Sequence, residues 1–102
     1  IGGMSMLELD ECKAKLADFK RLYGITFGIV NIGIFGSVAR RENTEESDID
    51  IVVEVEKPTL AVMYNMKEQL KNLFHCEVDL VRLRDSLRPM LKQNIQEEVI
   101  YV

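Results

Sequence analysis

Residues 29–53 read IVNIGIF-GSVARRENTEES-DIDIVV, running from Ile29 to Val53. The first block is almost continuously apolar, as expected of a strand buried on both faces. A Gly36-Ser37 turn follows it. After a short polar segment come Asp48 and Asp50, alternating with Ile49 and Ile51. In a strand, successive side chains point to opposite faces, so the two carboxylates share one face while the isoleucines bury on the other. Alternation by itself also fits a half-exposed strand with polar side chains in water. Two Asp at this spacing repel each other, however, unless a cation lies between them. Hard divalent ions with oxygen ligands suit such a pair, and Mg²⁺ usually keeps waters and substrate phosphate in its shell. The Gly-Ser turn lies close by in sequence, and a short helix opening there has free N–H groups suited to an anion. Together these features point to metal-assisted phosphoryl or nucleotidyl transfer.

The segment resembles the signature of the DNA polymerase β-like nucleotidyltransferases: an apolar residue, Gly-Ser, a spacer of about ten residues, then Asp-apolar-Asp-apolar. Ile34, Phe35, Gly36 and Ser37 supply the first part, and Asp48, Ile49, Asp50 and Ile51 the second. The finer form, G-S-x-A-R followed by S-D-I-D, is similar to the minimal nucleotidyltransferase (MNT) branch. The resemblance implies a third carboxylate from a later strand. Asp79, within Cys76-Glu77-Val78-Asp79-Leu80-Val81, matches that place. Flanked by Val78 and Leu80, Asp79 is expected to sit deeper than Glu77, and a buried charge needs a partner. The catalytic and metal-ligand set expected is therefore Asp48, Asp50 and Asp79, holding two Mg²⁺ ions. Gly36 and Ser37 are expected to orient the phosphates of a nucleoside triphosphate. Arg40, one helical turn after Ser37, is a candidate for phosphate or for a strand carboxylate. Arg41 reads as a surface charge, and it departs from the family pattern, in which many relatives carry Gly. Glu54 and Glu56 continue the Asp face, but too far along the strand to reach the same metal site.

The chain has 102 residues, which suits one domain with one core. Ile1-Gly2-Gly3 before Met4 reads as an appended remnant, leaving residues 4–102 as the domain. Net charge is −4, with acids and bases interspersed and no basic stripe. That balance argues against dedicated nucleic-acid binding, where phosphate neutralisation dominates affinity. No apolar run approaches membrane-spanning length. Cys12 and Cys76 lack C-x-x-C spacing and read as reduced thiols in a cytoplasmic protein. The one histidine, His75, has no partner ligand nearby and reads as a surface or capping residue.

Along the chain, Ser5 and Glu8 have capping-box spacing, predicting a helix to about Tyr23 with Gly24 as its stop. Its apolar side is Leu9, Cys12, Leu16, Phe19 and Tyr23. Ser37 serves as an N-cap, and a short helix is expected over 38–42. Asn43 to Ser47 form a loop, and the second strand covers 48–55. Pro58 is placed at a first helical position, with Leu60, Met63, Lys67, Leu70 and Phe74 as the inner face. A third strand covers 76–81. A last helix begins near Ser86, tolerates Pro89 in its first turn and runs to about Gln96. Residues 98–102 are either a closing strand or the helix end, with the strand favoured by Val99, Tyr101 and Val102. The fold class is α/β (α+β): a small mixed β-sheet with helices packed on it, in a nucleotidyltransferase fold.

The expected activity is transfer of a nucleoside monophosphate to an acceptor hydroxyl with release of pyrophosphate. The MNT resemblance implies AMP from ATP, and a HEPN-domain partner modified on tyrosine. It thereby implies an antitoxin-like role in a prokaryotic toxin–antitoxin pair. With no acceptor-recognition domain in the chain, the acceptor surface falls to a partner or a homo- or hetero-oligomer. Two alternatives stay open: a binding module that neutralises its partner by contact, and transfer to a small molecule such as an aminoglycoside.

Overall fold

The computed structural model describes residues 7–102. The Ser5 half of the expected capping box lies outside these residues. Helix α1, Leu9–Phe27, buries Leu9, Cys12, Leu16 and Phe19, as its spacing indicates. It does not stop at Gly24. The apolar stripe continues through Tyr23 to Phe27, whose rings lie 5.7 Å apart, and Phe27 also stacks on Phe19 at 6.2 Å. That packing outweighs the cost of a glycine inside a helix, about 1 kcal/mol. The stop is Gly28, left-handed at φ 69°, whose N–H reaches the carbonyls of Gly24 and Ile25.

Four strands follow the order β3-β2-β1-β4. β1 is Ile29–Phe35 and β2 is Ile49–Val55, paired antiparallel. β3, Val78–Arg82, lies parallel to β2. β4, Ile100–Tyr101, lies antiparallel to β1, so a closing strand does form, but shorter than the expected 98–102: Glu98 still belongs to the last helix and Val99 is its cap. The sheet is thus mixed.

Helices cover both faces. On one, Ile32, Ile34, Ile49, Ile51, Val53 and Val78 pack with α1 and with α3, Leu60–Phe74. On the other, Phe35 and Val52 pack against Leu87 and Ile95, so α4, Pro89–Glu98, covers part of the face that carries Asp50. The alternation of residues 49–53 therefore separates a large core from a smaller one.

Thr59 caps α3 by accepting the Val62 N–H at 3.1 Å, so Leu60 and not Pro58 takes the first helical position. Pro58 lies just before the cap. The buried face of α3 is Met66, Leu70 and Phe74, while Leu60 is 92 % exposed and Lys67 is also exposed. The expected stripe starts too early: Leu60 stays outside the core, and packing begins with the partly buried Val62 and Met63. α4 begins with Pro89 at its first position rather than at Ser86, where the missing proline N–H costs nothing. His75 ends α3 as a left-handed cap, φ 55°, donating to the Lys71 carbonyl at 2.8 Å. Cys12 and Cys76 are both free thiols, and burial pushes the Cys12 thiol up to about 11. Among the described residues no helix is long and apolar enough to cross a membrane.

Candidate active site

Three adjacent strands bring the sequence motifs to one end of the sheet. Phe35, the last residue of β1, pairs with Asp50 on β2, and Asp50 pairs with Asp79 on β3. Neighbouring strands lie about 4.8 Å apart, and in-register residues share a face. Asp50 and Asp79 therefore stand side by side, next to the turn that leaves β1.

That turn requires glycine. Gly36 has φ 75°, and a Cβ there would overlap a carboxylate oxygen of Asp50 and lie 2.9 Å from its Cγ. Asp50 is thus laid directly on the Gly36 backbone. Helix α2 opens at Gly36 and spans Gly36–Ala39, two residues earlier than the expected start at Val38. Its N-cap is Phe35, not Ser37, and Ser37 lies half-buried inside the first turn. The extended conformation needed at a cap falls on the strand's last residue, which explains the offset.

Asp50 is half-buried, and its carboxyl is pushed up from 3.8 to about 6. Burial is the main cause, followed by the charges of Asp79 and then Asp48, while Arg40 opposes them. Asp48 is exposed on the approach to β2 rather than within it. Asp79 is also exposed, contrary to the expected burial. β3 is the edge strand, so register, not depth, places Asp79 beside Asp50. Glu77 precedes β3 and pairs with Lys71 at 3.3 Å, away from this group.

Among the described residues no three His, Cys, Asp or Glu side chains stand close enough together to hold a metal ion as they are. The donor set nevertheless fits a hard cation. It consists of carboxylate oxygens alone, and burial first, then the charges of its neighbours, already raise the proton affinity of one of them. Two in-register carboxylates, with a third on the flanking segment, leave room for the waters and phosphate oxygens such an ion retains.

Arg40 pairs with neither strand Asp as an ion pair. Its guanidinium binds Glu42 at 2.8 Å and Glu98 at 2.8 Å. Arg41 is a surface residue, 3.4 Å from Asp10. It is left-handed at φ 59°, the conformation that favours the glycine expected from the family pattern. Glu98, the last residue of α4, carries no site signal in the sequence, where it falls in the 98–102 segment. It accepts the Gly36 N–H at 3.1 Å, across 62 residues of chain. Helical periodicity marks it only as a polar position; its place depends on how β4 pairs with β1.

A family model described as polymerase beta, nucleotidyltransferase matches residues 20–102. The chain is similar to the protein adenylyltransferase MntA of Thermococcus cleftensis, 38 % identical over 100 residues, covering 97 % of this chain and 100 % of that protein. A solved structure assigned as a minimal nucleotidyltransferase superposes with a TM-score of 0.77 at 33 % identity, covering 94 % of this chain and 97 % of the other. A toxin–antitoxin crystal structure with AMP-PNP shares the fold, with a TM-score of 0.72 at 24 % identity over 87 % of this chain and 70 % of that one. With its Gly-Ser turn, its Asp-x-Asp strand and these full-length likenesses, the chain belongs to the polymerase β nucleotidyltransferase family, in its minimal branch, and is a nucleotidyltransferase.

Proposed function

We propose that this enzyme transfers AMP from ATP to a hydroxyl of a partner protein, a tyrosine of a HEPN-type toxin. The observation that carries the proposal is the register Phe35–Asp50–Asp79, which sets two carboxylates beside the Gly36 turn. The full-length likeness to a protein adenylyltransferase supports a protein acceptor. The family resemblance supports the HEPN partner and the choice of ATP.

In the reaction the acceptor oxygen bonds to the α-phosphorus, the bond to the β-phosphate bridging oxygen breaks, and pyrophosphate leaves. Asp48, Asp50 and Asp79 are the residues to hold two Mg²⁺ ions, which supply charge neutralisation for the entering and leaving oxygens. Asp79, exposed on the edge strand in register with Asp50, would take up the hydroxyl proton. Ser37 and the turn orient the β- and γ-phosphates, and Arg40 stands within electrostatic reach of Asp50 to offset charge. The protein does little covalent work, so positioning and charge supply the rate.

The test is incubation with each nucleoside triphosphate, Mg²⁺ and a HEPN-type partner, followed by intact mass measurement of both proteins. Addition of AMP to the partner, with ATP preferred, is the expected result. A partner silenced without added mass would show contact neutralisation instead.

A further inference from the structure

Glu98 occupies a position that none of the motifs explains. The pairings Gly33 with Tyr101 and Ile34 with Ile100 set the antiparallel register of β1 and β4. Extended by two residues, that register puts Glu98 opposite Gly36. The buried Ile95, one turn earlier on α4, anchors the helix end there. One Glu98 oxygen accepts the Gly36 N–H at 3.1 Å, and the other accepts the Arg40 guanidinium at 2.8 Å. The Glu98 side chain is only 24 % exposed, against 43 % for Arg40, so the carboxylate is the fixed member of the pair.

A carboxylate is an unexpected residue at this point. It adds negative charge near Asp50, which already has Asp48 and Asp79 as neighbours. An apolar residue would tie α4 to the turn without that repulsion. What the carboxylate adds is two directed, charge-assisted bonds, one to the turn backbone and one to Arg40, whose charge acts on Asp50. Gly36 carries φ 75° and bears Asp50 directly on its backbone, so a bond that fixes its N–H also fixes where the Asp50 carboxylate rests.

We infer that Glu98 is a positioning residue of the nucleotidyl-transfer site: it holds the Gly36 turn and Arg40 in the arrangement that receives the nucleotide's phosphates. The inference rests on the proposed transfer of AMP from ATP and deepens it. Glu98 touches neither phosphate nor acceptor; it acts through Gly36 and Arg40. Glu98→Gln keeps an acceptor for the Gly36 N–H but loses the charge that holds Arg40, whereas Glu98→Ala loses both.

The experiment measures equilibrium binding of ATP with Mg²⁺ by calorimetry for wild type, E98Q, E98A, R40A and the double variant R40A/E98A, each at a temperature where unfolding curves show it folded. Loss of a partly exposed charged pair and a charge-assisted bond should weaken binding about tenfold in E98A, with E98Q between it and wild type. Because Glu98 acts partly through Arg40, E98A should cost clearly less in the R40A background than alone. Steady-state transfer should show the loss mainly as a higher KM for ATP. A purely structural role would lower the melting temperature and leave ATP binding of the folded variants at the wild-type value; that result, or tighter binding in E98A, overturns the inference. If wild type itself binds no ATP, the proposed function fails, and the inference fails with it. Wild-type binding with unaltered Glu98 variants removes Glu98 alone.

Discussion

Replacing Asp50 by Asn in metal-free protein should stabilise the fold at neutral pH, even though it removes a central residue of the site. Asp50 lies half-buried on Gly36, with Asp79 in register on the next strand and Asp48 two residues before it. Burial first, and these two charges second, raise its carboxyl from 3.8 to about 6. At full strength such a rise corresponds to about 3 kcal/mol. Water reaches roughly half of the group, and screening reduces this to about 1 kcal/mol. The sign follows from proton uptake on folding. An acid whose pKa is raised in the folded protein contributes its stability fully below 3.8, and that contribution is lost as pH rises through about 6. At pH 7 the empty site therefore works against folding, and a neutral, nearly isosteric amide relieves it. For a domain of this size about 1 kcal/mol corresponds to about 4–8 °C in melting temperature. The assay is thermal or urea unfolding of wild type and D50N from pH 4 to 8 with chelator present. The difference between them should be largest above pH 6 and shrink towards pH 4. A D50N variant that is less stable than wild type at pH 7, or a difference that does not change between pH 4 and 6, would refute the electrostatic reasoning.

Three further outcomes are expected. Mg²⁺ with ATP should raise wild-type stability by about 2.7 kcal/mol at ligand concentrations near 100 Kd, and melts of D48N/D50N should show no such gain. Arg41→Gly should stabilise by about 0.5–1 kcal/mol in urea unfolding, since it relieves a left-handed residue at φ 59° and gives up only an exposed pair with Asp10. Destabilisation by R41G would mean that the Asp10 contact outweighs the backbone term. Gly36→Ala should cost about 2–4 kcal/mol from positive φ and overlap with Asp50. It should also abolish ATP binding, and a folded G36A protein with wild-type affinity would show that the turn does not shape the site.

Much of the architecture was legible because it depends on local period and residue chemistry. The apolar run before Gly36 became β1 at its expected bounds, and the Asp-Ile alternation became β2 with the isoleucines inside. The pairing of Asp79 with Asp50 came from family position; the burial reasoning attached to it was wrong, because strand order, which the linear pattern does not state, makes β3 an edge. Helix ends were misplaced where tertiary packing decided them. Aromatic stacking carried α1 through Gly24, and Leu60, in the first turn of α3, stays outside the core that Val62 and Met63 join. Glu98 was illegible for a related reason: its meeting with Gly36 is set by the β1–β4 register over 62 residues, while its immediate neighbours read as an ordinary polar helix end.

The most direct test of the central claim is nucleotide transfer by D50N compared with wild type, read as mass added to a HEPN-type partner in the presence of ATP and Mg²⁺ and paired with the partner's own activity. The substitution is nearly isosteric and should leave the fold and any docking surface intact, so loss of charge at one oxygen is what the comparison isolates. Wild type should add AMP and silence the partner, and D50N should lose on the order of 10³-fold or more of the transfer rate and leave the partner active. Equal modification by both proteins, or equal silencing with no mass added, would contradict a catalytic site built on Asp50.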